Sequence, residues 1–325
     1  MPRAKLEPMD PQITSIQPGG GFCMRLELAG GGFRRVYLKI FWPQYVKEML
    51  AKRRGSDPYK KCPHEVLDPR DLKFHRNQET FFWEPQDDPF CWRDRLPFAR
   101  VGLCELMLIA GFFFALTGLA VWLFWPVAVV PGFLGLCIVW FFRNPQRRIP
   151  NEPGLVVSPA DGKVVEVREI EYDEFLDGPA VQIGIFLSVF NVHINRVPVA
   201  SRVIGLRYRR GKFLNAMRAA SSRENEQLAV KLEENAEPHR RMIVRQITGA
   251  IARRIVCWVK PGDELIRGEQ FGMIKLGSRT ELVIPRELGL KVEVAVGQKV
   301  KAGTSVMARY SDLPLAPAGG EGAGG

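Results

Sequence analysis

Hydrophobic and polar positions divide the chain into three stretches with different rhythms. Residues 1–97 are mixed. Short apolar patches such as Val36 to Trp42 alternate with turn-rich polar stretches such as Arg54 to Pro58. Tryptophans at 42, 83 and 92 predict a small ordered unit rather than a bare tail. From Leu106 to Phe142 no charged residue occurs for 37 positions. After Pro150 short runs rich in Val and Ile recur between Gly, Pro and Asp, which is the rhythm of β-strands.

The uncharged run is too long for one membrane span of roughly 20 residues and long enough for two short helices with a turn. Pro126 and Pro131-Gly132 are placed to make that turn. Arg93, Arg95 and Arg100 precede the run, and Arg143, Arg147 and Arg148 follow it. Positive charge at both ends predicts that both ends lie on the cytoplasmic side, which a hairpin satisfies and a single span does not. A helical hairpin buried in a soluble core would show the same pattern, but full lengths of uncharged helix are rare there.

Beyond the hairpin, strands are expected at Leu155 to Val157, Lys163 to Val167, Val181 to Leu187, Arg202 to Tyr208, Met242 to Ile247 and Ile255 to Val259. Lys212 to Leu232, enriched in Ala and Glu, reads as loop plus helix. A weak repeat links Val259 to Gly268 with Val296 to Gly303: a strand end, a glycine turn with a polar residue, an apolar residue, then Gly. Biotinyl- and lipoyl-type domains build their hairpins this way. The expected fold is mainly β (α+β), a β-sandwich or barrel-like domain with such hairpins, preceded by a helical membrane hairpin. The expected organisation is an accessory region at 1–97, the hairpin at 98–145, a catalytic domain at 146–312 and a disordered tail at 313–325, rich in Pro, Ala and Gly.

Charge narrows the partners. A net charge of +11 calls for an anionic one, nucleic acid or an anionic membrane. No basic helix or aromatic platform for reading bases is apparent, so no nucleic-acid partner is expected. Six scattered cysteines do not form a secreted disulfide framework. No cleavable signal peptide is expected, since Met1 to Asp10 is polar and no apolar h-region follows. Cys62, His64, His75 and Cys91 match no common zinc spacing, and no metal is expected.

Three segments could carry chemistry: Ser158 to Lys163, Phe186 to Pro198, and Gly268 to Leu282. Taken singly, each is ambiguous. Asp161 before Gly162 is a turn signal, and Gly277-Ser278 reads as a turn. His193 in its apolar stretch reads as a satisfied core residue. Of the two histidines in this half, His239 lies in a charged segment expected to be exposed, so His193 is the better candidate for acid–base work.

Together the segments resemble the phosphatidylserine decarboxylases, a pyruvoyl-dependent family. Leu276-Gly277-Ser278 looks like the family's self-cleavage site, and Phe190 to Arg196 like the signature of its shorter, mostly prokaryotic branch. Pro159 to Gly162 matches the family's Asp motif, while Phe141 to Pro145 and Gly211 to Ala216 look like branch motifs. The resemblance covers roughly residues 100 to 312.

It implies the following chemistry. Decarboxylating an amino acid leaves a carbanion, and an imine to an electron-poor carbonyl holds those electrons. The Ser278 hydroxyl attacks the Gly277 carbonyl, and the resulting ester eliminates to dehydroalanine at 278. Hydrolysis then releases ammonia and leaves a pyruvoyl group. The products are a large subunit, 1–277, and a small one, 278–325. A serine needs a base, and the base an orienter. The resemblance gives these roles to His193 and Asp161. The family's longer branch has a second histidine, usually given the base role, where this chain has Arg196. His193 therefore serves both self-cleavage and decarboxylation, or decarboxylation only. Arg196, Arg209, Arg210 and Lys212 either bind the phosphate and carboxylate of the substrate or form a basic face toward anionic lipid.

The implied activity is decarboxylation of phosphatidylserine to phosphatidylethanolamine at the inner membrane, with the catalytic domain cytoplasmic and homo-oligomers possible. The alternatives are a decarboxylase of another serine-headed lipid and a membrane-anchored biotinyl- or lipoyl-like carrier. The carrier lacks the lysine it needs at the tip of the repeat's turns.

Overall fold

A computed structural model of the chain describes residues 3–53, 66, 68–78, 88, 90–215, 221–250, 254–275 and 278–311. Cys62, His64, Trp83, Ala216, Leu276, Gly277 and the expected tail at 313–325 lie outside them.

The strands are β1 (Leu155–Val157), β2 (Gly162–Asp173), β3 (Gly178–Leu187), β4 (Ile194–Arg196), β5 (Ser201–Arg209), β6 (Gln227–Glu234) and β7 (Arg241–Thr248). They continue as β8 (Arg254–Cys257), β9 (Glu264–Leu265), β10 (Gln270–Lys275), β11 (Ser278–Pro285), β12 (Leu290–Val292), β13 (Lys299–Val300) and β14 (Val306–Tyr310). An eight-stranded antiparallel sheet runs β13-β2-β3-β11-β7-β6-β5-β9, with two three-stranded sheets, β1-β14-β12 and β4-β10-β8, beside it. The fold is mainly β with helical segments, as expected. β11 lies mid-sheet, its eight residues paired with β3 and its first six with β7. Every residue of β11 is buried.

The expected strands are present, but Lys212 to Leu232 differs. Among the described residues its helix is Ser221–Glu224, and β6 begins at Gln227. Leu228, Val230 and Leu232 are buried every second residue. That period of two belongs to a strand with one core face and overrides the helix propensity of the intervening Ala and Glu.

The weak repeat has a structural counterpart. Gly262 and Gly297 have φ of 94° and 98°, and Gly268 and Gly303 have φ of 78° and 73°. A Cβ on Gly268 or Gly303 would fall 2.5 or 2.7 Å from Ile149 Cδ1. The two turns follow β9 and β13, the opposite edges of the main sheet. Their meeting around Ile149 curls the sheet toward closure.

Residues 4–17 belong to this body. Glu7 N donates to Ile204 O (2.8 Å), Tyr208 N to Asp10 Oδ2 (2.9 Å) and Cys257 N to Ile16 O (2.7 Å). Ile13 enters the main core. Helices α1 (Phe22–Phe41), α2 (Pro43–Arg53) and α3 (Pro69–His75) follow.

The uncharged run is helical from Leu103 to Phe141 and folds back on itself. Short α4 (Leu103–Glu105) and a π turn lead into α5 (Gly111–Phe124), and a 3-10 turn at Trp125–Ala128 leads into α6 (Val129–Phe141). Phe124 is extended (φ −162°, ψ 94°), which breaks the helix axis. A Cβ on Gly135 would lie 2.7 Å from Phe114, and one on Gly132 3.6 Å from Thr117, so α5 and α6 approach closely. Ala99 N donates to Phe142 O (2.9 Å) and Asn144 N to Pro97 O (2.7 Å), which ties the two feet together. Pro126 sits in the turn as expected. Pro131-Gly132 does not: it lies in the first turns of α6, where proline is tolerated and Gly132 makes room for α5.

Candidate active site

Ser278 opens β11, its Cα partnered by Leu187 of β3 and Thr248 of β7. Side chains of a strand alternate between faces, so Ser278, Thr280, Leu282 and Ile284 share one face of β11, the last two in the main core. Ser278 is 0% exposed, and its Oγ has no hydrogen-bond partner among the described residues. A buried hydroxyl left without a partner costs about 1–3 kcal/mol. Such an atom calls for a functional reason.

Beside it lies a buried polar network. Asn195 Nδ2 donates to Thr280 Oγ1 (3.0 Å), and Gln246 Nε2 donates to Asn195 Oδ1 (2.9 Å) and Val256 O (3.2 Å). This fixes the small sheet over the end of the large one. Asn195 stands two residues beyond His193, and Thr280 two beyond Ser278. His193 precedes β4, and the Asn195–Thr280 bond sets that segment near the Ser278 end of β11. The backbone agrees: Ile274 N donates to His193 O (3.1 Å), four residues before Ser278.

His193 is 0% exposed and its ring packs 4.5 Å from that of Phe141, at the foot of α6. Its Nδ1 lies 2.9 Å from Asn191 O. A carbonyl only accepts, so Nδ1 carries the proton and Nε2 the lone pair. Burial pushes the imidazole down from 6.5 to about 4, against the Asn191 carbonyl, which favours the charged form, and with Arg143 adding repulsion. His193 is therefore neutral at physiological pH, the state a base requires.

Asp161 does not orient this ring. Its Oδ2 accepts from Arg147 (2.8 Å) and its Oδ1 from Ala302 N (2.8 Å). No hydrogen bond joins it to His193 among the described residues. The Asn191 carbonyl is the partner of Nδ1, and Asp161 ties the segment after the hairpin to the turn before β14. Beside it, Gly162 is a close approach: a Cβ there would lie 2.2 Å from Phe186 O.

The four basic candidates separate. Arg196 Nη1 donates to Gly268 O (2.8 Å) and Nη2 to Pro145 O (3.5 Å), so it braces backbone. Arg209 donates to Arg223 O, and Lys212 pairs with Glu224 at 2.8 Å. Arg210 is exposed nearby. This loop adjoins the serine: Asn225 Nδ2 donates to Leu214 O (2.8 Å) and to Thr248 O (2.7 Å), and Thr248 is the partner of Ser278. His239 is buried rather than exposed. It bonds Glu234 O at 3.1 Å in the turn between β6 and β7, at the other end of β7 from Thr248. No cluster of metal-ligating side chains occurs among the described residues.

Sequence reasoning missed Asn195, Gln246, Thr248 and Thr280. A signal existed: at one end of β7 and β11, polar residues occupy the positions where the core face calls for apolar ones. Lys275, also missed, is buried and paired with Glu105 of α4 three residues before Ser278. Nothing in its local sequence marks it.

Comparison with known proteins bears on these residues. Residues 134–308 match the family model described as phosphatidylserine decarboxylase. A protein of Rhodopirellula baltica named phosphatidylserine decarboxylase proenzyme is 54% identical over 239 residues, covering 74% of this chain and 99% of that protein. Proteins of the same name from Syntrophus aciditrophicus and Carboxydothermus hydrogenoformans are 41% and 48% identical. They cover 69% and 54% of this chain and 99% and 81% of their own lengths. With the model spanning more than half of the chain and a relative matched almost end to end, the chain belongs to the phosphatidylserine decarboxylase family.

Proposed function

We propose that this chain decarboxylates phosphatidylserine to phosphatidylethanolamine through a pyruvoyl group made from Ser278 by self-cleavage at Gly277-Ser278. The observation that carries the reading is the buried, unpartnered Ser278 Oγ at the head of β11, in a family whose relatives are named proenzymes. Ser278 alone could furnish that group, so the residues present fit it.

Self-cleavage follows from the chain's own groups. His193 Nε2 takes the Ser278 hydroxyl proton, and Oγ attacks the Gly277 carbonyl carbon. The peptide C–N bond breaks and an ester C–O bond forms, the proton passing to the new amine. Loss of the Ser278 Cα proton then expels the Gly277 carboxylate from Cβ, leaving dehydroalanine, and water replaces its nitrogen with oxygen and releases ammonia. The pyruvoyl group supplies an electron sink for decarboxylation. His193 then stands where a proton can be returned. Its low basicity suits fast donation once it is charged.

The small subunit, 278–325, begins at β11. That strand is hydrogen-bonded on both sides, so the fragments stay together after cleavage. Arg209, Arg210 and Lys212, on the loop adjoining Thr248, meet the anionic headgroup. The domain boundaries at 97/98, 145/146 and 312/313 and the orientation of the arginine-rich feet toward the cytoplasm at the inner membrane belong to the same reading. Support for the membrane comes from the hairpin: its most apolar 18-residue window is 6% buried.

Mass spectrometry of the purified protein tests this. Wild type should give two bands on a denaturing gel, the small one with a pyruvoyl-capped mass, and Ser278→Ala one full-length band. A free serine on the small fragment would instead mean ordinary proteolysis, and a single inactive wild-type band would refute self-cleavage.

A further inference from the structure

Helix α1 lies in the accessory region, ahead of the residues matched by the family model. It packs with its faces reversed. At 100° per residue, Phe22, Leu26, Phe33, Val36, Tyr37 and Ile40 fall within about 60° of a single line. All six are exposed, Phe33 at 80%. The opposite face, which meets the protein, mixes charged and small residues with Met24, Leu28 and the buried Leu38. Lys73 pairs with Glu27 (2.7 Å), Arg34 with Asp68 (3.2 Å) and Arg35 with Asp71. A Cβ on Gly31 would fall 3.2 Å from Asp68. Ion pairs, a glycine contact and the packing of Met24, Leu28 and Leu38 hold the helix down, while a second apolar stripe with three aromatic rings points away.

Two observations say what covers that stripe. First, α1 roots beside the hairpin. Met24 and Leu28 pack on the cluster that holds Leu106, Ala110, Phe141 and Phe142, at the hairpin's two feet. The helix therefore starts at the feet of a hairpin whose α5 has no buried residue among the described residues. Second, the charge is right: Arg25 and Lys39 are exposed along one edge of the stripe, in a chain of net charge +11. Twenty residues give a rod of about 30 Å, enough to lie along a surface.

We infer that α1 is an in-plane membrane helix, its apolar stripe sunk at the headgroup–acyl boundary of an anionic bilayer and its charged face gripping α3. Such helices combine a large apolar face with flanking cations. Together with the hairpin, α1 gives the protein two contacts with the lipid surface. Two contacts fix the tilt of the body relative to the membrane plane, where the hairpin alone leaves it free to lean. The salt bridges to α3 carry that orientation into the body. The inference rests on hairpin insertion only for its position, and the experiment separates the two.

The full-length protein is reconstituted into vesicles of phosphatidylglycerol and phosphatidylcholine, with a nitroxide at Phe33→Cys, at Trp122→Cys in the hairpin, or at Lys299→Cys on the catalytic body. The labelled wild-type spectrum is subtracted for the native cysteines. All three positions are exposed, so each variant should fold. Collision with dissolved oxygen, which partitions into lipid, is compared with collision with a water-soluble nickel chelate. Positions 33 and 122 should favour oxygen, with 33 shallower than 122, and position 299 should favour nickel. If 122 favours oxygen while 33 matches 299, the α1 inference falls and the inserted hairpin stands. Low collision with both reagents at 33 would mean a second protein copy covers the stripe, which also overturns it. Nickel preference at both 33 and 122 would remove hairpin and helix from the membrane together.

Discussion

Strand β11 and helix α5 are both apolar, and they end in opposite places. β11 is buried along all eight residues, whereas α5, fourteen residues without a charge, buries none. Trp122 of α5 is 80% exposed and Leu282 of β11 0%. Apolar content thus says that an element leaves water, and not which medium it enters. Polar atoms complete the contrast. In α5 the Thr117 hydroxyl donates to Phe113 O at 2.7 Å, so the one hydroxyl of that helix is satisfied within it. In β11, Arg279 and Glu281 pair with each other and Thr280 bonds Asn195. Ser278 Oγ is the orphan of the strand. The exposed helix satisfies its hydroxyl internally, and the buried strand leaves Ser278 Oγ without a partner among the described residues.

The largest effect should come from His193, the base we propose for that orphan. His193→Gln keeps a polar side chain in the pocket and should slow the appearance of the two subunits by about 100-fold or more, the range removed with a general base. Normal processing of this variant would move the base elsewhere. The neutral imidazole is the active form and burial holds it down at about 4, so self-cleavage should fall off only as pH drops toward 4, not near 6.5. Stability has the same sign. Between pH 6.5 and about 4 the unfolded chain binds a proton at His193 that the folded chain refuses, so acid erodes stability across that window. The whole window is worth on the order of 3 kcal/mol, and Ser278→Ala protein, which stays in one piece, allows reversible measurement. In a Ser278→Ala, His193→Gln double variant that slope should flatten.

A second pair of substitutions sets buried core against exposed apolar surface directly. Leu282→Ala should cost about 2–5 kcal/mol of unfolding free energy, as large-to-small changes in a packed core do. Trp122→Ala, removing a larger side chain, should change it by about 0.5 kcal/mol or less in detergent. Equal losses at both positions would mean that the hairpin is a protein core and that β11 and α5 differ only in degree.

Legibility in the sequence followed the same division. Where one medium faced a whole element, the pattern sufficed: the uncharged run gave the hairpin, and Val- and Ile-rich runs gave β1, β3, β5 and β7. The order of motifs pointed to Ser278 and His193. Where propensity and burial pulled apart, as at β6, alternation at Leu228, Val230 and Leu232 was the truer guide. The partner of the ring's Nδ1 could not be read, because it is a backbone carbonyl, that of Asn191, and any residue type supplies one. Asp161 drew attention as a carboxylate, but Arg147 and the Ala302 amide claim it. α1 was hidden for a different reason. Its Val36 to Trp42 patch was visible, but the glycines and arginines of the other face gain meaning only beside Asp68 and Asp71 of the α3 region.

The smallest effect tests the loop that adjoins Thr248. Lys212 is exposed and its partner Glu224 equally so, and such pairs add little to stability. Lys212→Ala should therefore leave melting and subunit formation unchanged. The loop backbone is held independently, by Lys212 N on Glu224 O (2.7 Å) and by Glu226 N on Lys212 O (3.1 Å), so the loop keeps its shape. What the variant removes is one exposed cation on the loop that adjoins Thr248. With phosphatidylserine in mixed micelles, where lipid concentration is controlled, KM should rise a few-fold at unchanged kcat, because a headgroup contact made equally in ground and transition states affects binding alone. A fall in kcat would place Lys212 at the reacting carboxylate. No change in either constant would assign the loop's charge to the general attraction of an anionic surface. In that case the loop would resemble the hairpin's arginine-rich feet more closely than the buried end of β11.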